Sequence, residues 1–401
     1  MVKKNLNWFL PVLAIALMSM GQLFAQDTEL TSIKVADDKA ADKDACDKGC
    51  TFDWGEDTWL TVGAGLRVSY RASRDIGGGG PGPYDNNFNI DNARVYLNGR
   101  GHDCLGFEFN LDTNNAQGYA DDKIGAHYAG VDASDMRILD AIVKFEFNDL
   151  VNIWMGRMLP PSDRNNLSGP YYQNTWSFPF TQFGYYNIFQ GRDDGAMVHG
   201  SAREGKLEYA LGAYDGYDAP AGDDNVMIAG RFSYNFLENE AGYYNSSTYH
   251  GTKELLTVGF AFQNQQDAVA IGDDYDAYNF DLLYERPTSS GGVVTIEAAY
   301  YEFDGTGSAN SNGHSYFILT SYMLSKEYAM GALTGRVVPY FRHQEYSRDA
   351  ADAGARTRSN DFGMHYVIHG HNARLTLEYT DFDTSTSSQN DEVKLGMQFQ
   401  F

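Results

Sequence analysis

Charged side chains recur at every second position of several segments, always opposite an apolar face. Arg67 and Arg71 alternate with Leu60, Val62, Ala64, Leu66, Val68 and Tyr70. Arg94, Tyr96 and Arg100 share one face of the next such segment, Glu108, Asn110 and Asp112 that of a third, and Asp140, Lys144 and Glu146 that of a fourth. Lys206, Glu208, Arg231, Arg342, Arg374 and Glu378 add to the same face further on. The chemistry of such a set is electrostatic. Guanidinium groups stay charged at any physiological pH and draw anions, whereas a facing acidic stripe sets up a transverse field across a water-filled path. For any single residue, pairing with a neighbour is the plainer expectation. Arg157 is ambiguous: if Val151, Ile153 and Met155 face outward, strict alternation sends it outward too unless a bulge intervenes.

Covalent chemistry finds little support. His199 with Asp194, or His365, His369 and His371, are the available imidazoles, and no Gly-x-Ser-x-Gly turn accompanies them. His369-Gly370-His371 lacks a third metal ligand nearby. Cys46 and Cys50 are spaced for a local disulfide in an exported chain, wrongly for c-type haem, and Cys104 stands alone. The expectation is a non-enzyme with no catalytic residues, no metal site and no cofactor.

The elements that position these charges follow from periodicity. Residues 1–25 have a Lys3/Lys4 start, an apolar run from Trp8 to Met20 and small residues near Ala25, as a secretory signal does. Residues 26–58 are polar and read as a periplasmic lead-in without strand alternation. The remainder, 59–401, alternates with period two. Mean hydropathy is only -0.44, because a barrel strand shows lipid at every second residue. The 28 Tyr and 24 Phe suit aromatic belts at two membrane interfaces. Strands open at Trp59 and close at Phe401, with others near 88–100, 104–112, 136–148, 150–158, 192–202, 205–215, 225–238, 253–263, 275–286, 292–304, 313–325, 333–346, 359–369 and 371–381, sixteen in all. The fold class is therefore all-β: a transmembrane antiparallel 16-stranded β-barrel of the outer membrane, closed because an unpaired edge cannot survive in lipid. Tight connections alternate with long polar ones at 72–87, 113–135, 159–191, 264–274, 347–358 and 382–390, and 239–252 is long where a short one belongs. The 159–191 stretch contains Asp163, Arg164, Tyr171, Tyr172 and Trp176 and is expected to fold inward as a constriction loop. The net charge of -24 argues against nucleic acid and leaves small hydrophilic solutes or inorganic ions, with membrane lipid, as partners. Acidic pairs at Asp121-Asp122, Asp223-Asp224 and Asp273-Asp274 read as solvated loops.

At several positions the chain resembles the phosphate-selective porin O/P family. Residues 92–99 (NARVYLNG) are similar to its RARLGLKG strand, and Leu139-Asp140-Ala141 with 154–161 (WMGRMLPP) resembles its passage ending in VGQFKPPFG. Residues 191–200 (GRDDGAMVHG), 206–216 (KLEYALGAYDG) and 338–342 (VPYFR), with the terminal Phe401, also fit. The resemblance implies a homotrimer with one pore per protomer and lumen cations that pass anions. Arg94, Arg157 and Arg192 fall within the matching motifs, but Leu159 stands where the family has a lysine. The strongly acidic chain supports a porin better than it supports phosphate. Alternatives are a general or cation-preferring porin, a porin sheath around a cytochrome electron conduit, or a sugar channel. The last would need an aromatic track, which Tyr96, Tyr171, Tyr172 and Trp176 could only begin.

Overall fold

The structure, a computed structural model, describes residues 50–54, 58–75, 82–113, 136–179, 191–217, 225–240, 242–270, 272–305, 312–348, 356–384 and 389–401. The expected signal segment, Cys46 and the pairs Asp121-Asp122 and Asp223-Asp224 lie outside these residues.

The elements in chain order are β1 (Cys50–Asp53), β2 (Trp59–Asp75), β3 (Asp85–His102), β4 (Leu105–Thr113), β5 (Met136–Glu146), β6 (Asn152–Met158), α1 (Arg164–Ser168), β7 (Asp193–Ala202), β8 (Leu207–Tyr214), β9 (Met227–Asn235), β10 (Leu255–Ala270), β11 (Asp273–Pro287), β12 (Val293–Asp304), β13 (Gly313–Met323), β14 (Glu327–Met330), β15 (Leu333–Arg348), β16 (Arg356–His369), β17 (Ala373–Thr384) and β18 (Gln389–Gln400). All pairings are antiparallel, and from β2 onward each strand pairs with its successor in sequence, except that β13 and β14 both pair with β15. β18 closes the sheet on β2, from Asn390↔Asp75 to Gln400↔Gly65. β14 continues the course of β13 along β15, so sixteen strands cross the barrel.

Where β18 ends opposite Gly65, β2 runs on to Trp59. β1 covers this run, Cys50 pairing with Val62 and Asp53 with Trp59. A strand therefore occurs inside the segment expected to be a strandless lead-in. Its residues need no apolar alternation, because their role is to supply main-chain partners to an edge. A second difference concerns 264–274, expected as a polar loop. β10 runs on into it as far as Ala270, and β11 begins within it at Asp273. The ladder pairs main-chain groups whatever the side chains, so polar composition does not end a strand that projects into water.

The two period-two faces differ, although the inner one also carries an apolar cluster that includes Ile142, Trp154, Phe317 and Leu319. Leu66, Val95, Phe107, Val143, Met155, Phe280, Phe362 and Leu395 are exposed on the outer face. Arg67, Arg94, Asn110, Asp281, Glu297, Arg342 and Glu378 are buried on the inner one. In water such an arrangement would be inside out; against lipid it is the stable one.

Candidate functional site

The inner wall carries cross-strand ion pairs. Arg94 bonds Asp112 at 2.7 Å, joining β3 to β4. Lys144 on β5 reaches Glu108 on β4 at 2.5 Å and lies 3.9 Å from the centre of the Trp154 ring. Asn110 donates to both Glu108 (2.7 Å) and Asp140 (2.9 Å), and Asp140 accepts from Arg192 at 2.9 Å. Lys144, Glu108, Asn110, Asp140 and Arg192 thus form one continuous network. Arg100 pairs with Glu146 at 2.7 Å, Arg231 with Asp281 at 2.6 Å and Arg342 with Asp361 at 2.7 Å. Arg71 contacts Glu392, which also accepts from Lys394 at 2.9 Å. The acids of β4 and β5 therefore neutralise their own neighbours and do not face the arginines as a separate stripe. Local pairing wins because two ions at bonding distance interact far more strongly than either does across a hydrated lumen.

Arg157 does not line the interior. Its pairing with Ala141 keeps strict alternation and puts it on the outer face, bonded to Asp194 at 2.8 Å. No bulge intervenes, so the Arg157 that the resemblance selected is an outer-face residue.

Arg67 and Arg374 are held differently. Register places Arg374 opposite Gln398 and Gln398 opposite Arg67, so the three make one row across β17, β18 and β2. Arg374 Nη1 donates to the Gln173 carbonyl at 2.6 Å, and Arg67 donates to the Trp176 carbonyl and to Asn92 Oδ1, the latter at 2.9 Å. The Nε of each guanidinium, and Nη2 of Arg374, are buried and have no hydrogen-bond partner among the described residues.

Residues 159–179 bring the second group of expected residues together. Asp163 caps α1 by accepting from Asn166 N at 3.2 Å and accepts from Tyr301 OH of β12 at 3.0 Å. Arg164 N donates to Asp281 of β11 at 3.1 Å, and Asn165 to Glu297 of β12 at 2.7 Å. A few residues on, Trp176 N donates to Glu378 of β17 at 3.3 Å, and its ring lies 4.1 Å from Arg67 of β2. Tyr171 packs edge-on to Tyr96 and against Gly65, where a Cβ would come within 2.6 Å of its ring. The segment thus bonds to inward-facing residues from β9 round to β2. Tyr172 is the exception, 39% exposed where Tyr171 is wholly buried.

Sequence reasoning missed a second segment, 236–254, which joins β9 to β10 from the mouth where other turns are short. Glu240, Ser247 and Thr248 within it are buried. Glu240 bonds Arg164 at 2.8 Å, Tyr243 OH donates to the Leu159 carbonyl at 2.8 Å, and Ser247 N donates to the Tyr172 carbonyl at 3.1 Å. Its length alone marked it as anomalous. Nothing in its composition distinguishes an inserted segment from a surface loop. Period two would have placed Asp281, Glu285, Glu297 and Asp361 inward, had those strands been followed as closely as the first four.

Solved structures supply the comparison. The anion-selective porin from Comamonas acidovorans superposes with a TM-score of 0.54 at 12% identity, over 86% of this chain and all (100%) of that one. The outer membrane channel DcaP of Acinetobacter baumannii gives 0.51 at 11% identity, over 87% and 99%. The trimer form of OmpT, an outer membrane protein of Vibrio cholerae, gives 0.50 at 12%, over 86% and 100%. The fold is that of outer-membrane porins. No protein-family model matches the chain, and no curated protein matches it in sequence.

The apolar outer face suits a barrel set in a lipid bilayer. Phe399 and Phe401, in aromatic contact at a 6.2 Å centroid distance, end the chain on that face, and the Phe401 main chain bonds to Ala64 across the closing seam.

Proposed function

We propose that the chain is a porin: a water-filled channel for passive diffusion of small hydrophilic solutes and ions, working as a homotrimer. The carrying observation is a closed barrel whose outer wall is apolar and whose inner wall buries, beside an apolar cluster, a set of charged and hydrogen-bonded side chains. The 159–179 segment is the constriction in this reading. The name of the Vibrio cholerae neighbour's trimer form supports the trimer by analogy of fold.

Most wall charges are paired, which argues for shallow selectivity rather than a ladder of unpaired arginines. The preference that remains is for anions, because the row formed by Arg67 on β2 and Arg374 on β17 bonds carbonyls instead of carboxylates. Phosphate selectivity, and with it membership of the phosphate-selective porins, rests on the sequence resemblance alone. The test is single-channel recording of purified protein in a planar bilayer under a KCl gradient, repeated with phosphate. Stepwise conductance with a weakly chloride-favouring reversal potential is expected. Block by phosphate would establish the phosphate reading, and absence of steps would overturn the channel.

A further inference from the structure

We propose that segment 236–254 is the second half of the constriction, and that Glu240 is a positioning residue whose ion pair with Arg164 clamps the two inserted segments to each other. The inference rests on the porin reading and adds a device to it.

Four observations converge. First, the insertion is longer than its job as a connector requires. β7 and β8, joined at the same mouth, need only residues 203–206, and β16 and β17 only 370–372, whereas β9 and β10 are separated by 236–254. Second, the insertion is fastened to the wall. Glu285 of β11 accepts from Thr248 Oγ1 at 2.6 Å, from Tyr249 N at 3.0 Å and from Gly251 N at 2.8 Å. The chain wraps this carboxylate with His250 at φ 54° and Gly251 at φ 80°, a left-handed pair that turns the N–H groups of Tyr249 and Gly251 onto one acceptor while His250 N donates to Thr248 Oγ1 at 3.1 Å. Third, the two segments meet through a fork-to-fork contact. Arg164 Nη1 and Nη2 each donate to one oxygen of Glu240, and Nη1 also reaches the Ser246 carbonyl at 2.9 Å. Fourth, the pair is shut off from water, with side-chain exposures of 1% for Arg164 and 3% for Glu240. An ion buried to that degree is strongly destabilised when its partner is removed. Arg164 has Asp281 as a second acid at 4.0 Å, but Asp281 is already engaged by Arg231 at 2.6 Å. Glu240 is thus the group that satisfies Arg164, and the position of α1 across the lumen depends on a residue from the opposite mouth.

The experiment uses the full-length protein with its three cysteines replaced by serine and Ser247→Cys introduced as a reporter. Ser247 is wholly buried between the two segments and the wall. Labelling by a membrane-impermeant maleimide is compared in this background, with E240Q added, and with the reversed pair R164E/E240R. A buried thiol reacts only through its opened population, so E240Q is expected to speed labelling by about tenfold or more, and the reversed pair to slow it again. Single-channel conductance should rise in E240Q and return toward the parent in the reversed pair. R164K, which keeps the charge and loses the fork, should shift both readouts less in the same direction, and serves if E240Q does not assemble. Parental labelling and conductance in E240Q and R164K would overturn the clamp. A parent without stepwise conductance would overturn the porin reading instead, while the labelling comparison still decides the clamp.

Discussion

Arg374 and Arg67 flank Gln398 in a single register row, and each donates to a main-chain carbonyl of the same lumen segment, Gln173 and Trp176 respectively. Two like charges share one wall with no carboxylate among the described residues bonded to either. The segment's carbonyl dipoles meet part of their demand, while buried N–H groups on both guanidiniums remain unpartnered. The arrangement keeps local positive potential where a fully paired wall would have cancelled it.

Replacing either arginine should weaken anion preference. A unit charge about 10 Å from a passing ion is worth on the order of 1 kcal/mol at an effective ε of ~20, less when screened by salt. R67Q and R374Q should each lower the chloride-over-potassium permeability ratio severalfold, read from reversal potentials in a KCl gradient. A ratio unchanged in both variants would remove this row from selectivity.

The outer-face placement of Arg157 predicts the opposite. R157L should leave conductance and reversal potential at wild-type values, because the side chain bonds Asp194 outside the barrel. Its effect on barrel stability should stay within about 1 kcal/mol for a partly exposed ion pair. A changed ion preference would return Arg157 to the pore.

Gly396 and Gly65 hold the lumen segment by lacking side chains. A Cβ at Gly396 would stand 2.7 Å from the Trp176 ring, and one at Gly65 2.6 Å from Tyr171. Overpacking of this kind costs about 1–3 kcal/mol. G396A and G65A should lower the urea midpoint and raise conductance by pushing the segment off the wall. Unaltered midpoints would mean the rings can shift without loss.

His371 gives a pH dependence with a definite sign. It lies in the turn after β16, its ring 4.9 Å from that of Tyr172 and 4.6 Å from that of His250, with Nε2 2.8 Å from the Thr248 carbonyl. Burial, and then the Arg374 guanidinium, push its pKa down from 6.5 to about 4. His250 shifts in the same direction, through burial and then His371. The folded state thus resists a proton that the unfolded chain accepts. This contribution to stability is complete above pH 6.5 and is lost as pH falls toward about 4. H371Q should flatten the fall in urea midpoint over that window, and an unchanged slope would place the dependence elsewhere.

The legible part of the chain was whatever depends on period two. Arg67, Arg94, Glu108, Asp140, Lys144, Arg231, Arg342 and Arg374 all lie on the inward face that alternation assigns them. Sixteen crossing strands agree with the expected number. A strand's faces are set by pleat alone, so a single chain segment suffices to read them. Arg157, which alternation left ambiguous and the motif resemblance drew inward, lies on the outer face.

Partner choice was not legible. That Lys144 takes Glu108, that Arg164 takes Glu240, and that Arg374 takes the Gln173 carbonyl are decided by which groups the closed barrel and its inserted segments bring within about 3 Å, the range of a hydrogen bond. Residues 236–254 carry no periodicity, and their path into the lumen is fixed by buried acceptors such as Glu285, remote from them in the strand sequence. The sequence by itself thus determined the barrel and which charges face its interior, because lipid on one side and water on the other act on each strand separately. Only the tertiary structure decided which of those charges cancel and what crosses the lumen, because both depend on contacts between segments that are distant along the chain.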